Sequence, residues 1–140
     1  MEYTITIPTA EEADYIDDML MEHNRAAKPF EQEEPFIGIN RCVKNEQGEV
    51  IGGLLAYSVM WRILYIDTLW VQADQRGQGI GSILLKAVEK EAKAMGCHVA
   101  HLDTFDFQGK DFYVKNGYTV FGTIEDCPMG HSEHFLFKRL

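Results

Sequence analysis

Arg76, Gly77, Gln78, Gly79, Ile80 and Gly81 stand between a strand-like run and an amphipathic helix. Glycines leave the main chain bare, so successive backbone N–H groups can converge on phosphate oxygens. The new helix points its unsatisfied amides and the positive end of its dipole at the same place. Arg76 can add a two-pronged guanidinium clamp. The chemistry suited to this junction is pyrophosphate binding. Its spacing separates it from two other nucleotide loops. A Walker loop needs Gly, four residues, Gly, Lys and then Ser or Thr, and no lysine follows Gly79 or Gly81. A dinucleotide fingerprint needs Gly-x-Gly-x-x-Gly, whereas Gly77, Gly79 and Gly81 alternate. Alone, the pattern also fits a glycine-rich turn that binds nothing, so its surroundings decide.

The elements around it follow from periodicity. Tyr3 to Ile7 alternates apolar and hydroxyl residues and predicts a strand. Thr9 with Glu12 is a capping box that opens a helix running through about Glu22, with Ala13, Ile16 and Leu20 facing inward. The stretch from His23 to Pro35, broken by Pro29 and Pro35, predicts a loop or short helix. Phe36 to Val43 and Val50 to Val59 predict a hairpin around Asn45 to Gly48, and a third strand spans about Arg62 to Val71. Ile80, Ile83, Leu84, Ala87, Val88 and Met95 recur at helical spacing up to Gly96. Val99 to Phe105 is then a strand, Lys110 to Asn116 a short helix, and Tyr118 to Ile124 and Glu133 to Leu140 the last two strands. The expectation is a single-domain α/β fold over residues 1–140, with a mixed central sheet of about seven strands flanked by helices. Its ligand belongs at the carboxyl end of a strand where a helix begins, which is where the glycine loop stands.

Bulk properties narrow the partners. The 140 residues suffice for one core without disulfides or metal. No apolar stretch spans a bilayer and the N-terminus has no signal-peptide pattern, so no membrane is expected and the location is cytoplasmic. Three cysteines, Cys42, Cys97 and Cys127, are an odd number at wide spacing and argue for reduced thiols. A net charge of −9 argues against nucleic acid and favours cationic partners, although acidity also serves solubility. Cys97, His98 and His101, and Cys127, His131 and His134, lack zinc-like spacing, so no metal is expected.

The element order, with Arg76, Gly79 and Gly81 ahead of a long helix, resembles the GNAT superfamily of acetyl-CoA-dependent N-acetyltransferases over nearly the whole chain. A second motif agrees: Phe112, Tyr113, Lys115, Gly117 and Tyr118 resemble the family's Phe-Tyr-x-Lys-x-Gly-aromatic segment. The resemblance implies that strand Ile66 to Val71 lies beside the pantetheine arm of acetyl-CoA. Main-chain groups of Leu69 and Val71 would bond the arm, with Trp70 between them, and the Leu69 N–H would hold the thioester carbonyl. The loop amides from Gln75 through Arg76, Gly77, Gln78, Gly79, Ile80 and Gly81, with the Ser82 hydroxyl, would hold the pyrophosphate.

A free alkylamine has a pKa near that of lysine, about 10.4, so acetyl transfer to it needs a proton acceptor. Asp67 matches the position of the family's base, and its alternative is an ion pair with a surface cation such as Arg62. Tyr113 matches the general acid that protonates the departing thiolate. Lys86 and Lys115 are either phosphate ligands or solvated surface.

The amine acceptor is unnamed by sequence. In the family its site is shaped by the segments matching Tyr15 to Phe36 and Glu125 to Glu133, where Glu22, Glu31, Glu33, Glu34 and Asp126 favour a cation. His131 or His134 can line that pocket, and Trp61 and Trp70 can wall it or simply pack. The expected function is N-acetyl transfer to a primary amine, a small cationic molecule, by direct attack in a ternary complex. The alternatives are a noncatalytic acyl-CoA sensor and a protein lysine or N-terminal acetyltransferase. Homodimerisation through the edge of the strand carrying Phe135, Leu136 and Phe137 is a further expectation.

Overall fold

The computed structural model describes residues 2–140. Thr9 opens helix α1 (Ala10–Ala27) with the expected capping box. Thr9 Oγ1 accepts from the Glu12 amide at 3.1 Å, and the Glu12 carboxylate accepts from the Thr9 amide at 3.3 Å. Strands β1 (Phe36–Gly38), β2 (Arg41–Lys44), β3 (Val50–Val59) and β4 (Ile63–Val71) follow. A 3-10 turn, Ala73–Gln75, leads to α2 (Ile80–Ala94), β5 (Val99–Phe105), α3 (Lys110–Lys115), β6 (Thr119–Glu125) and β7 (Ser132–Arg139).

The seven strands form one sheet in the order β1-β3-β4-β5-β7-β6, with β2 also paired to β3. β4 and β5 run parallel and are joined through α2; the other pairs are antiparallel. One face of the sheet is closed. Leu84, Leu85, Val88 and Ala92 of α2 pack on Leu54, Ala56, Leu64, Ala100, Leu102 and Leu136, all within the buried core. Each such aliphatic side chain larger than alanine contributes about 1.5–3 kcal/mol by leaving water. Gly52 lets the helix come close, because a Cβ there would stand 3.2 Å from Ile80 Cγ2 and 3.3 Å from the Trp70 carbonyl oxygen. The buried Glu89 carboxylate on α2 accepts from the Tyr118 hydroxyl at 2.6 Å and from Lys138 Nζ at 2.9 Å. Tyr118 is therefore core, and burial followed by the Glu89 bond raises its pKa.

Four expectations need correction. Tyr3 to Ile7 alternates like a strand but pairs with no strand among the described residues, and Tyr3, Ile5 and Ile7 are 82%, 99% and 94% exposed. Ala13, Ile16 and Leu20 do not face inward, because α1 buries no residue. The helix is anchored at its C-terminal end, where Trp61 Nε1 donates to the Lys28 carbonyl at 3.0 Å. The predicted strand Phe36 to Val43 is split in two, since Asn40 turns its side-chain oxygen to the Ala56 amide, 3.2 Å away, and interrupts the ladder. Finally, β7 lies between β5 and β6, so Phe135, Leu136 and Phe137 offer no free edge for dimerisation.

Candidate functional site

The site begins with a slip in register. Leu55 pairs with Thr68 and Ala56 with Ile66, which leaves Asp67 as an extra, unpaired residue of β4. Such a bulge bends its strand and re-aims the side chain it carries. β4 pairs with β5 only over Ile63–Tyr65 and Val99–His101. Beyond that point the two strands part, and one edge of β4 from Ile66 to Val71 is left without a neighbouring strand. An extended ligand arm can add itself there as a further strand.

A cleft of about 770 Å³ occupies the gap. Asp67, Leu69, Trp70, Val71, Gln75, Arg76, Gly77, Gly79, Ile80, Gly81, Ser82 and Tyr113, each singled out from sequence, all line it. Gln78 does not.

One end of the cleft presents bare main-chain donors. Gly77 and Gly79 have φ of 78° and 83°, a left-handed conformation that suits glycine. Gly79 caps α2 without a side-chain bond. Ile83 N–H reaches the Gly79 carbonyl at 3.0 Å as the first helical bond, so the amides of Ile80, Gly81 and Ser82 have no helical acceptor. Arg76 Nε donates to the Val71 carbonyl at 2.9 Å, which ties the loop to the end of β4 and keeps the guanidinium at the cleft. Ser82 Oγ accepts a long 3.4 Å bond from Asn116. A Cβ at Gly81 would stand 3.2 Å from the Phe112 ring, so its bareness lets α3 approach α2. Lys86 and Lys115 do not line the cleft.

Tyr113 packs against Phe112 and Tyr118 with ring centroids 5.1 and 5.6 Å away. Burial pushes its pKa up to about 12, so the phenol holds its proton throughout the neutral range. That suits proton donation to a leaving thiolate.

The opposite end carries the carboxylates of Asp67 and Asp103. The Tyr65 hydroxyl donates to Asp103 at 3.0 Å. Burial first, then the bond and charge of Asp103 and the charge of Asp67, raise the Tyr65 pKa to about 12. Asp67 makes no ion pair among the described residues, and Arg62, its suggested partner, donates instead to the Met95 carbonyl. Asp103 and Tyr65 were not foreseen. The available signal was a lone acid near the carboxyl end of β5, in the strand next to the one bearing Asp67.

The acidic residues expected around the acceptor lie elsewhere: Glu22, Glu31, Glu33, Glu34 and Asp126 do not line the cleft. Trp61 packs edge-on against Phe30. His131 pairs with Asp106 at 3.0 Å. His134 is buried, bonds Thr123 at 2.9 Å and faces a smaller hollow beside the cleft.

Residues 5–118 match the family model of the acetyltransferase (GNAT) family. The chain belongs to that family. It is similar to the blasticidin-S acetyltransferase of Streptomyces morookaense, 42% identical over 96 residues that cover 68% of this chain and 70% of that protein. A crystal structure of an acetyltransferase from Bacillus cereus superposes with a TM-score of 0.92 at 39% identity, over 99% of this chain and 98% of that one. A streptothricin acetyltransferase structure from Bacillus anthracis, solved with acetyl coenzyme A, shares the fold at 18% identity. Its TM-score is 0.66, over 77% of this chain and 65% of that one. This GNAT protein is thus an acetyl-transferring enzyme that uses acetyl-CoA, which sets aside the noncatalytic sensor. Among the described residues, no helix is long and apolar enough to cross a membrane.

Proposed function

We propose that the chain is an N-acetyltransferase for a small cationic amine, acting by direct attack within a ternary complex. The observation that carries this reading is the polarity of the cleft. Bare helix amides and Arg76 stand at one end, and Asp67 and Asp103 at the other. The first end suits the pyrophosphate of acetyl-CoA and the second an ammonium group. The name of the blasticidin-S relative favours a small molecule over a protein acceptor.

Asp67 takes a proton from the ammonium, directly or through water, to give the nucleophilic amine. The amine nitrogen attacks the thioester carbonyl, whose oxygen receives the Leu69 N–H as charge develops. Collapse breaks the carbon–sulfur bond, the attacking nitrogen gives its second proton to water as the amide forms, and Tyr113 protonates the thiolate and regains its own proton from solvent. Asp103, held by Tyr65, keeps the ammonium at the mouth until it is deprotonated.

The test is thiol release across a panel of amines, read beside acetyl-CoA binding by calorimetry. Turnover with a cationic amine is expected. Asp67→Asn and Tyr113→Phe should each lower kcat by about 10²–10⁴-fold while acetyl-CoA still binds. Asp103→Asn should chiefly raise KM for the amine. Because Tyr113 has a pKa of about 12, kcat should show no alkaline loss due to it below about pH 10. Wild-type turnover in both catalytic variants would refute the assignment.

A further inference from the structure

Among the described residues, no helix packs on the second face of the sheet. Leu55 and Trp70 are 47% and 46% exposed there. The rings of Phe36, Tyr57, Tyr65 and His101 run across it in successive contacts of 5.9, 5.6 and 5.1 Å. Further along, Phe121 touches Phe135 and Phe137. The cleft opens toward this face through the exposed Asp67, Thr68 and Asp103.

The same chain carries an arm with nothing to cover. Ile16, Met19 and Leu20 form one stripe of α1 and are 58%, 42% and 57% exposed, while Glu11, Asp14, Asp18 and Glu22 form another stripe. Ahead of it, the strand-like Tyr3 to Ile7 is bare, and β2, which pairs with β3 alone, has a free edge. An isolated helix of this length is marginal in water, so the stripe needs a partner.

The hinge directs the arm outward. Lys28 is extended, its carbonyl is held by Trp61, and the Glu31 amide donates to the Met60 carbonyl at 2.9 Å. These bonds fix the base of α1 at the turn between β3 and β4, from which 18 residues project about 27 Å. The Bacillus cereus chain superposes over 99% of this one at a TM-score of 0.92, a fit that includes the arm and so shares its outward path.

We infer that two copies exchange arms, residues 2–27 of each seating on the bare sheet face of the other. The stripe of α1 covers the aromatic rings, and Tyr3 to Ile7 extends the sheet at β2. The arrangement is a closed two-fold dimer in which each arm–face contact occurs twice. The arm bears seven acidic side chains against one arginine, and the receiving face offers Arg139, stacked over Phe137, beside its own Asp67 and Asp103, so the apolar stripe rather than charge must hold the arm. Resting on the acceptor reading above, the partner's acidic helix also becomes the missing wall beside Asp67 and Asp103.

Light scattering on the full chain at micromolar concentration should give twice the 16.0 kDa chain mass. Ile16→Asp with Leu20→Asp on the arm, and Leu55→Asp on the face, should each halve that mass. Circular dichroism and acetyl-CoA affinity should not change. Mixing the arm variant with the face variant at tens of micromolar should restore a dimer through the one intact arm–face pair. A monomeric wild type, which would mean an arm folded onto its own face, overturns the inference. So does a dimer that survives the arm or face change, or a mixture that stays monomeric. Because mass is read apart from turnover, failure here is distinct from failure of the amine reading.

Discussion

Helices α1 and α2 are both amphipathic and of similar length, 18 and 15 residues, yet α2 buries Leu84, Leu85, Val88, Glu89 and Ala92 while α1 buries nothing. Their N-termini differ in the opposite sense. α1 begins with a complete capping box, whereas α2 begins at a left-handed glycine without a side-chain cap. A helix that will be held on both flanks can leave its first amides bare for a ligand. A helix that projects into solvent must satisfy them itself.

The contrast can be broken most forcefully at the buried helix. Leu85→Ala should cost about 2–5 kcal/mol in chemical denaturation, because it empties a fully buried site between helix and sheet. A smaller loss would mean that α2 is not the keystone of the core. Gly79→Leu should weaken acetyl-CoA binding about a hundredfold, roughly 2.7 kcal/mol, since a branched side chain at φ 83° distorts the bare helix start. Unchanged calorimetric affinity would remove the pyrophosphate assignment.

At the projecting helix the expected effects are smaller. Thr9→Ala removes half of the capping box and should cost about 1 kcal/mol of α1 helicity, seen by circular dichroism. Leu20→Ala, measured at nanomolar concentration where chains are separate, should change stability by less than about 0.5 kcal/mol. The same change should matter at high concentration if the arm seats on a second copy. Smallest of all is a pH effect on the bare face. Burial lowers the His101 pKa, the neighbouring Asp103 opposing it only in part. The unfolded chain therefore binds more protons than the folded one as pH falls through the ordinary histidine value of about 6.5. Stability should decline across that step and level off below the folded pKa, and His101→Gln should flatten the slope.

How much of this could be read beforehand depended on whether a feature is local. The capping box of Thr9, the glycine loop and the helix after it, and β5 at Val99–Phe105 are written in neighbouring residues and appear where expected. The fate of Tyr3 to Ile7 is not local: alternation states that a segment suits a strand but not which edge will accept it. The same holds for Ile16 and Leu20, whose spacing predicts a stripe and cannot say whose surface it meets. Asp67 was singled out through the resemblance and lines the cleft, yet the register slip that frees it leaves no mark in the hydropathy pattern. Asp103 was missed because its place at the cleft exists only once β4 and β5 have parted.

Gly81 sits in the glycine loop, but the atom it lacks is one that would press on Phe112, which in turn lies edge-on against Tyr113. In the proposed mechanism, the grip on the donor and the placement of the proton source are therefore two ends of a single lever. Enlarging this residue by one methyl group should register in kcat as well as in acetyl-CoA affinity, so a variant selected for altered cofactor binding here will carry an altered chemical step with it.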